Sequence, residues 1–112
     1  MRIYIAGKYT DADRKQIDKN VEKADQAERE IARRGHTPFC PHKLTNYWEN
    51  DPVLKFEDFL RIDKEWLRLC DAVLMLDNWQ ESGGAREELE FASALGLRVF
   101  WSVDEVPNCA SR

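Results

Sequence analysis

Two carboxylates stand where a folded chain ordinarily puts hydrocarbon. In FEDFLRIDKEWLRLC, residues 56–70, the residues Phe56, Phe59, Leu60, Trp66, Leu67 and Cys70 recur at the three-and-four spacing of a buried helical face, and Asp63 fills the gap in that stripe. An ionised carboxylate buried among such neighbours costs several kcal/mol unless it is paired. Either Asp63 has a structural partner, such as a buried backbone donor or Arg61, or it has a functional role. SGGAREELEFASALG, residues 82–96, repeats the puzzle. Phe91, Ala92 and Leu95 form an inward stripe, and stepping back from Phe91 and Ala92 by three and four lands on Glu88, whereas Glu90 falls elsewhere and Glu87 is offset. A glutamate early in a helix is also favoured by the helix dipole without any chemical task, so this second acid has two readings.

The elements that must position these acids alternate. RIYIAG over residues 2–7 is a β-branched and aromatic run closed by glycine, which predicts a first strand. A polar loop, KYTDADR, leads to a helix from about 16 to 34, carrying Ile17, Val21, Ala24, Ala27, Ile31 and Ala32 at helical spacing and stopped by Gly35. HTPFCP, 36–41, predicts a second strand ended by proline, and residues 41–54 have no clean period and read as an aromatic loop with Tyr47 and Trp48. After the helix holding Asp63, the apolar run at 71–77 predicts a strand buried on both faces. NWQESGG is a loop, a helix follows from about 85 to 95 with its stop at Gly96, and 98–103 is a last strand before a polar, mobile tail.

Strands alternating with helices imply a parallel sheet joined by right-handed crossovers. The expected fold is α/β: a small flavodoxin-like or Rossmann-like three-layer sandwich with four or five parallel strands, one domain over residues 1–112. Ligands of such sheets bind beyond the carboxyl ends of the strands, which marks residues 7–9, 41–42 and 77–84 as the candidate rim. Ser82, Gly83 and Gly84 could offer a hydroxyl and backbone N–H groups to an anion, or simply cap the helix. Neither a Walker loop nor a dinucleotide fingerprint is present.

Bulk composition narrows the partners. The chain has 112 residues, 43% hydrophobic and 11% aromatic, and a net charge of −4, which gives no general attraction to nucleic acid or anionic lipid. Cys40, Cys70 and Cys109 form no C-x-x-C pair, and with only His36 and His42 besides, reduced thiols in a cytoplasmic protein without metal or other cofactor are expected. No signal peptide and no membrane span is expected.

Asp63 with KEWLRLCDAVLML, followed by SGGAREELEFASALGLRV, resembles the paired motifs of the nucleoside 2-deoxyribosyltransferase superfamily, which includes the 2'-deoxynucleoside 5'-phosphate N-hydrolases. IYIAG resembles that family's first strand, and IYIAGKYT a short bacterial and phage subgroup of it. The resemblance implies an N-glycosidase in which Glu88 attacks the anomeric carbon, Asp63 helps the base depart and Tyr4 holds the Glu88 carboxylate. It implies that Asp63 is held partly protonated by its apolar surroundings and that Glu88, near a helix N-terminus, stays ionised. It further implies a nucleotide or nucleoside substrate bound by Gly7, Lys8, Ser82, Gly83 and Gly84. Ser82 matches the phosphate-binding serine of the N-hydrolases, which favours nucleoside 5'-monophosphates and hydrolysis, although GKYTDADR differs from their glycine-rich arginine loop. The alternatives are a deoxyribosyltransferase, a non-catalytic nucleotide-binding module, and a partner-binding domain using Trp48, Trp79 and Trp101. The family also implies a homodimer in which each pocket is completed by the neighbour.

Overall fold

A computed structural model describes residues 1–109. Four strands, β1 (Arg2–Ala6), β2 (Thr37–Phe39), β3 (Ala72–Met75) and β4 (Arg98–Phe100), form one parallel sheet in the order β2-β1-β3-β4. The helices are α1 (Arg14–Arg33), a single turn α2 (Pro41–Leu44), α3 (Phe56–Leu67) and α4 (Gly83–Ala94). This is the expected three-layer α/β sandwich, with four strands.

Alternation along β1 builds the layers. Ile3 and Ile5 point to one face and pack with Ala24, Ala27 and Ile31 of α1, while Tyr4 and Ala6 point to the other, toward Leu67 of α3 and Ala85 and Ala92 of α4. Each fully buried Ile or Leu contributes about 1.5–3 kcal/mol over exposure, which favours placing these residues at the sheet's centre. Ile17, Asn20, Ala24, Ala27 and Ile31 form the buried stripe of α1, whose first turn is capped by Asp13 accepting from the Lys15 N–H. Pro38 lies in β2, an edge strand, where its missing N–H is tolerated.

Several element ends differ from the sequence reading. Pro41 starts α2 instead of ending a strand, because proline suits the first helical position, and residues 48–50 form a 3₁₀ turn inside the expected loop. Gly83 and Gly84 belong to α4 and not to the preceding loop, since Ser82 caps a helix that begins two residues earlier. The last strand ends at Phe100, and Val103–Glu105 is a 3₁₀ turn. The tail read as mobile is docked as far as it is described: Val106 is 1% exposed, Arg34 donates to the carbonyls of Val103 and Val106 at 2.8 and 2.7 Å, and the Cys109 N–H donates to the Arg34 carbonyl. Residues 110–112 lie outside the described residues. Among the described residues no helix is long and apolar enough to cross a membrane.

The chain leaves β1 toward β2 on one side and returns to β3 on the other, so the switch point lies between β1 and β3. Gly7 sits there for steric reasons. A Cβ at Gly7 would lie 2.7 Å from Leu76 Cδ1, 2.9 Å from Leu76 Cβ and 3.0 Å from Asn78 Oδ1. Gly7→Ala is expected to lower stability by about 1–3 kcal/mol, read as a lower urea midpoint with unchanged m-value; an unchanged midpoint would remove Gly7 as a packing constraint.

Candidate active site

Glu88 lies on the face of α4 turned to the sheet, 4% exposed, and its Oε2 accepts a short hydrogen bond from Tyr4 Oη, rising from the middle of β1. Tyr4 is fixed in turn by stacking: its ring lies 5.7 Å from Phe39, and Phe39 lies 5.2 Å from Trp66 of α3. Of the neighbouring acids on α4, Glu87 and Glu90 are both exposed.

Asp63 faces Glu88 from α3. Its Oδ1 is buried with no hydrogen-bond partner, and Arg61 instead approaches Asp58 at 4.0 Å. Neither partner considered from sequence therefore neutralises this acid. Burial pushes its pKa up to about 6, opposed by the Glu88 side chain. Glu88 is raised well above the ordinary carboxylate value, first by burial and then by the charge of Asp63, while the Tyr4 hydroxyl pulls it down. The expectation that the helix dipole keeps Glu88 ionised is thereby corrected. The dipole fades beyond the first turn, and α4 begins at Gly83, so burial wins at position 88. The two carboxyls titrate as one system.

A cavity of about 440 Å³ opens over this pair. Phe56, Phe59 and Leu60 of α3 form an apolar wall beside Asp63, and Ser82, Gly83 and Gly84 bring the start of α4 to the opposite end. Lys8, Tyr9 and Thr10 enter from the loop after β1, and His42, Thr45 and Glu49 close the remaining side. Of the rim read from the sequence, residues 8–9, 41–42 and 81–84 line the cavity and residues 77–80 do not. Gly7 and Tyr4 do not line the cavity; Gly7 allows the strands to close below it and Tyr4 acts through Glu88. Trp66 and Leu67, read as neighbours of Asp63, lie outside the cavity lining as well.

Side chains hold the loop that carries Lys8. The Lys8 N–H donates to Asn78 Oδ1 at 3.0 Å, His42 Nε2 donates to the Lys8 carbonyl at 2.9 Å, and Asn20 Nδ2 donates to the Tyr9 carbonyl at 3.0 Å. Burial lowers the pKa of His42, against the hydrogen bond to the Lys8 carbonyl, which raises it. Lys8 Nζ lies 3.6 Å from Glu81 and 3.7 Å from Asp11. Against the rise that burial alone would cause, the Tyr9 hydroxyl and Arg14 hold Glu49 below its usual range. Ser82 Oγ accepts from the Ala85 N–H as helix cap and keeps its own proton free to donate.

Sequence reasoning left out Thr10, Thr45, Glu49 and Phe56 as cavity residues and Asn20 as a loop anchor. Asn20 carried a usable signal, a polar residue on the apolar stripe between Ile17 and Ala24. Thr10, Thr45 and Glu49 lie on irregular segments, where periodicity is silent, and Phe56 belongs to the stripe of α3 without any sign in the sequence that it meets the cavity.

A family model described as "Domain of unknown function (DUF4406)" matches residues 1–101. The chain belongs to the DUF4406 family. Two solved structures are similar to this DUF4406 chain. One is a 2-deoxyribosyltransferase from the psychrotolerant bacterium Bacillus psychrosaccharolyticus, 25% identical with a TM-score of 0.61, the match covering 88% of this chain and 69% of that one. The other is a 2-desoxiribosyltransferase from Leishmania mexicana, 19% identical with a TM-score of 0.59, covering 88% and 61%. No curated protein matches the sequence. The DUF4406 chain therefore has the nucleoside 2-deoxyribosyltransferase-like fold expected from its motifs.

A carboxyl whose pKa is higher in the folded state binds more protons folded than unfolded, so stability falls as pH rises from about 4 to about 6 through Asp63. Asp63→Asn is accordingly expected to raise Tm at pH 7, by a stability gain on the order of 1–3 kcal/mol, and to lose that gain below pH 4. Thermal melts at both pH values check it; a lower Tm at pH 7 would mean that Asp63 is stabilised by its site.

Proposed function

We propose that this chain cleaves the bond between a nucleobase and its sugar, with Glu88 as nucleophile and Asp63 as acid. The observation that carries the reading is the buried Glu88 carboxyl, pinned at Oε2 by Tyr4 across from an Asp63 oxygen that has no partner of its own, both open to one cavity. The similarity in fold to two 2-deoxyribosyltransferases supports it.

With Tyr4 occupying Oε2, Oε1 of Glu88 is the oxygen that attacks C1' of the sugar in this reading. The C1'–N bond breaks, its electron pair goes to the departing base, and Asp63 supplies the proton that makes the base a neutral leaving group. In the resting pair, burial and the charge of Asp63 favour the proton on Glu88 while the Tyr4 hydroxyl favours charge there, and attack uses the tautomer in which that proton has passed to Asp63. The resulting glycosyl ester is resolved by water, with Asp63 now accepting the proton, or by a second base. Water gives a hydrolase and an acceptor base gives a transferase. Ser82 and the first N–H groups of α4 support the 5'-monophosphate form of the reading, and the charges around Lys8 weigh against it. The same reading includes a homodimer, for which half-exposed Trp48 and Trp101 are available surface, and a reducing cytoplasm, which suits the free Cys40 and Cys70.

Incubation with a panel of nucleosides and their 5'-monophosphates is expected to release free base, quantified by chromatography, with a loss of about 10³-fold or more in Glu88→Ala. Base exchange with an added acceptor, without sugar release, would identify transfer; undiminished release in the variant would exclude Glu88. Tyr4→Phe removes the hydroxyl that lowers the Glu88 pKa, so the acid limb of kcat/KM is expected to move to higher pH. A limb that stays in place would separate Tyr4 from the ionisation of Glu88.

A further inference from the structure

The 5' end of the cavity follows from the position of Glu88. Gly83 precedes it by five residues on α4, about 7 Å along the helix axis, which is the reach of a sugar's 5' substituent from a C1' held at Glu88. Ser82, Gly83, Lys8 and Glu81 lie at that end. Lys8 is the only lysine or arginine among the lining residues, against four acids, Glu49, Asp63, Glu81 and Glu88. Glu49 is answered by Arg14 at 2.9 Å, outside the lining. Lys8 itself is shared: its Nζ lies 3.6 Å from Glu81 Oε1 and 3.7 Å from Asp11 Oδ2, so its single charge is already outweighed by two carboxylates.

We propose that Glu81 and Asp11 clamp Lys8 and thereby make the cavity select nucleosides with a free 5'-hydroxyl over their 5'-monophosphates. A phosphate monoester brings a charge of about −1.5 to −2 and must draw Lys8 away from both acids while remaining beside them. A hydroxyl asks for no such exchange. It accepts from the Ser82 O–H and donates to Glu81, both lining that end. The inference rests on the base-cleaving reading for its orientation, and it runs against the phosphate subsite implied by Ser82 alone.

The ratio of kcat/KM for a nucleoside to that for its 5'-monophosphate tests the clamp in the full chain. The wild type is expected to favour the nucleoside. Glu81→Gln and Asp11→Asn each remove one charge, and Asn at position 11 keeps an acceptor for the Asp13 N–H. Each is expected to shift the ratio toward the monophosphate by roughly tenfold, mainly through KM, with a shift that shrinks as salt is added. A wild type that prefers the monophosphate, or a ratio that neither variant moves, overturns the proposal. Binding of ribose 5-phosphate, followed by thermal shift, separates this outcome from failure of the cleavage reading. If no substrate releases base, cleavage fails, while ribose 5-phosphate binding gained only in the two variants still supports the clamp and equal binding in all three proteins overturns it.

Discussion

The hydrogen bond from Tyr4 to Glu88 ties the central strand to the helix that crosses it, and the rest of the site is arranged around that tie. Because side chains alternate along β1, Tyr4 can face α4 only while Ile3 and Ile5 face α1, so the same alternation that builds two hydrophobic layers also delivers a hydroxyl to a buried carboxylate. The stack of Tyr4, Phe39 and Trp66 leaves the phenol little freedom. A hydroxyl fixed in this way does not have to be reorganised when charge develops on its partner, which is the condition for efficient electrostatic support.

Two acids in one apolar enclosure come at a cost in stability. Their raised pKa values record the work of keeping charge away from water, and the unpartnered Oδ1 of Asp63 records a hydrogen bond forgone. A fold selected for stability alone would fill position 63 with leucine. The loop beyond Gly7 shows the opposite economy, since Asn78, His42 and Asn20, from three different parts of the chain, supply the backbone of Lys8 and Tyr9 with partners that the ladder no longer provides. One wall of the cavity thus carries buried charge, while the backbone of the other is supplied with side-chain partners.

The sequence by itself determined the layered α/β fold, because strand and helix periodicities are local and their alternation leaves few topologies open. It also exposed Asp63 and Glu88, since a charged residue breaking an apolar stripe is visible in one dimension. It placed the rim at the ends of β1, β2 and β3 for the same reason. Tertiary structure alone decided which groups answer those charges. That Glu88 and Asp63 meet as a buried pair, that Arg61 turns away, and that Lys8 is shared by Asp11 and Glu81 depend on distances between segments far apart in the chain. Glu49 and Thr45 join the cavity only because the irregular segment after α2 folds back over it. Burial and charge balance are sums over neighbours in space, and no local pattern contains them.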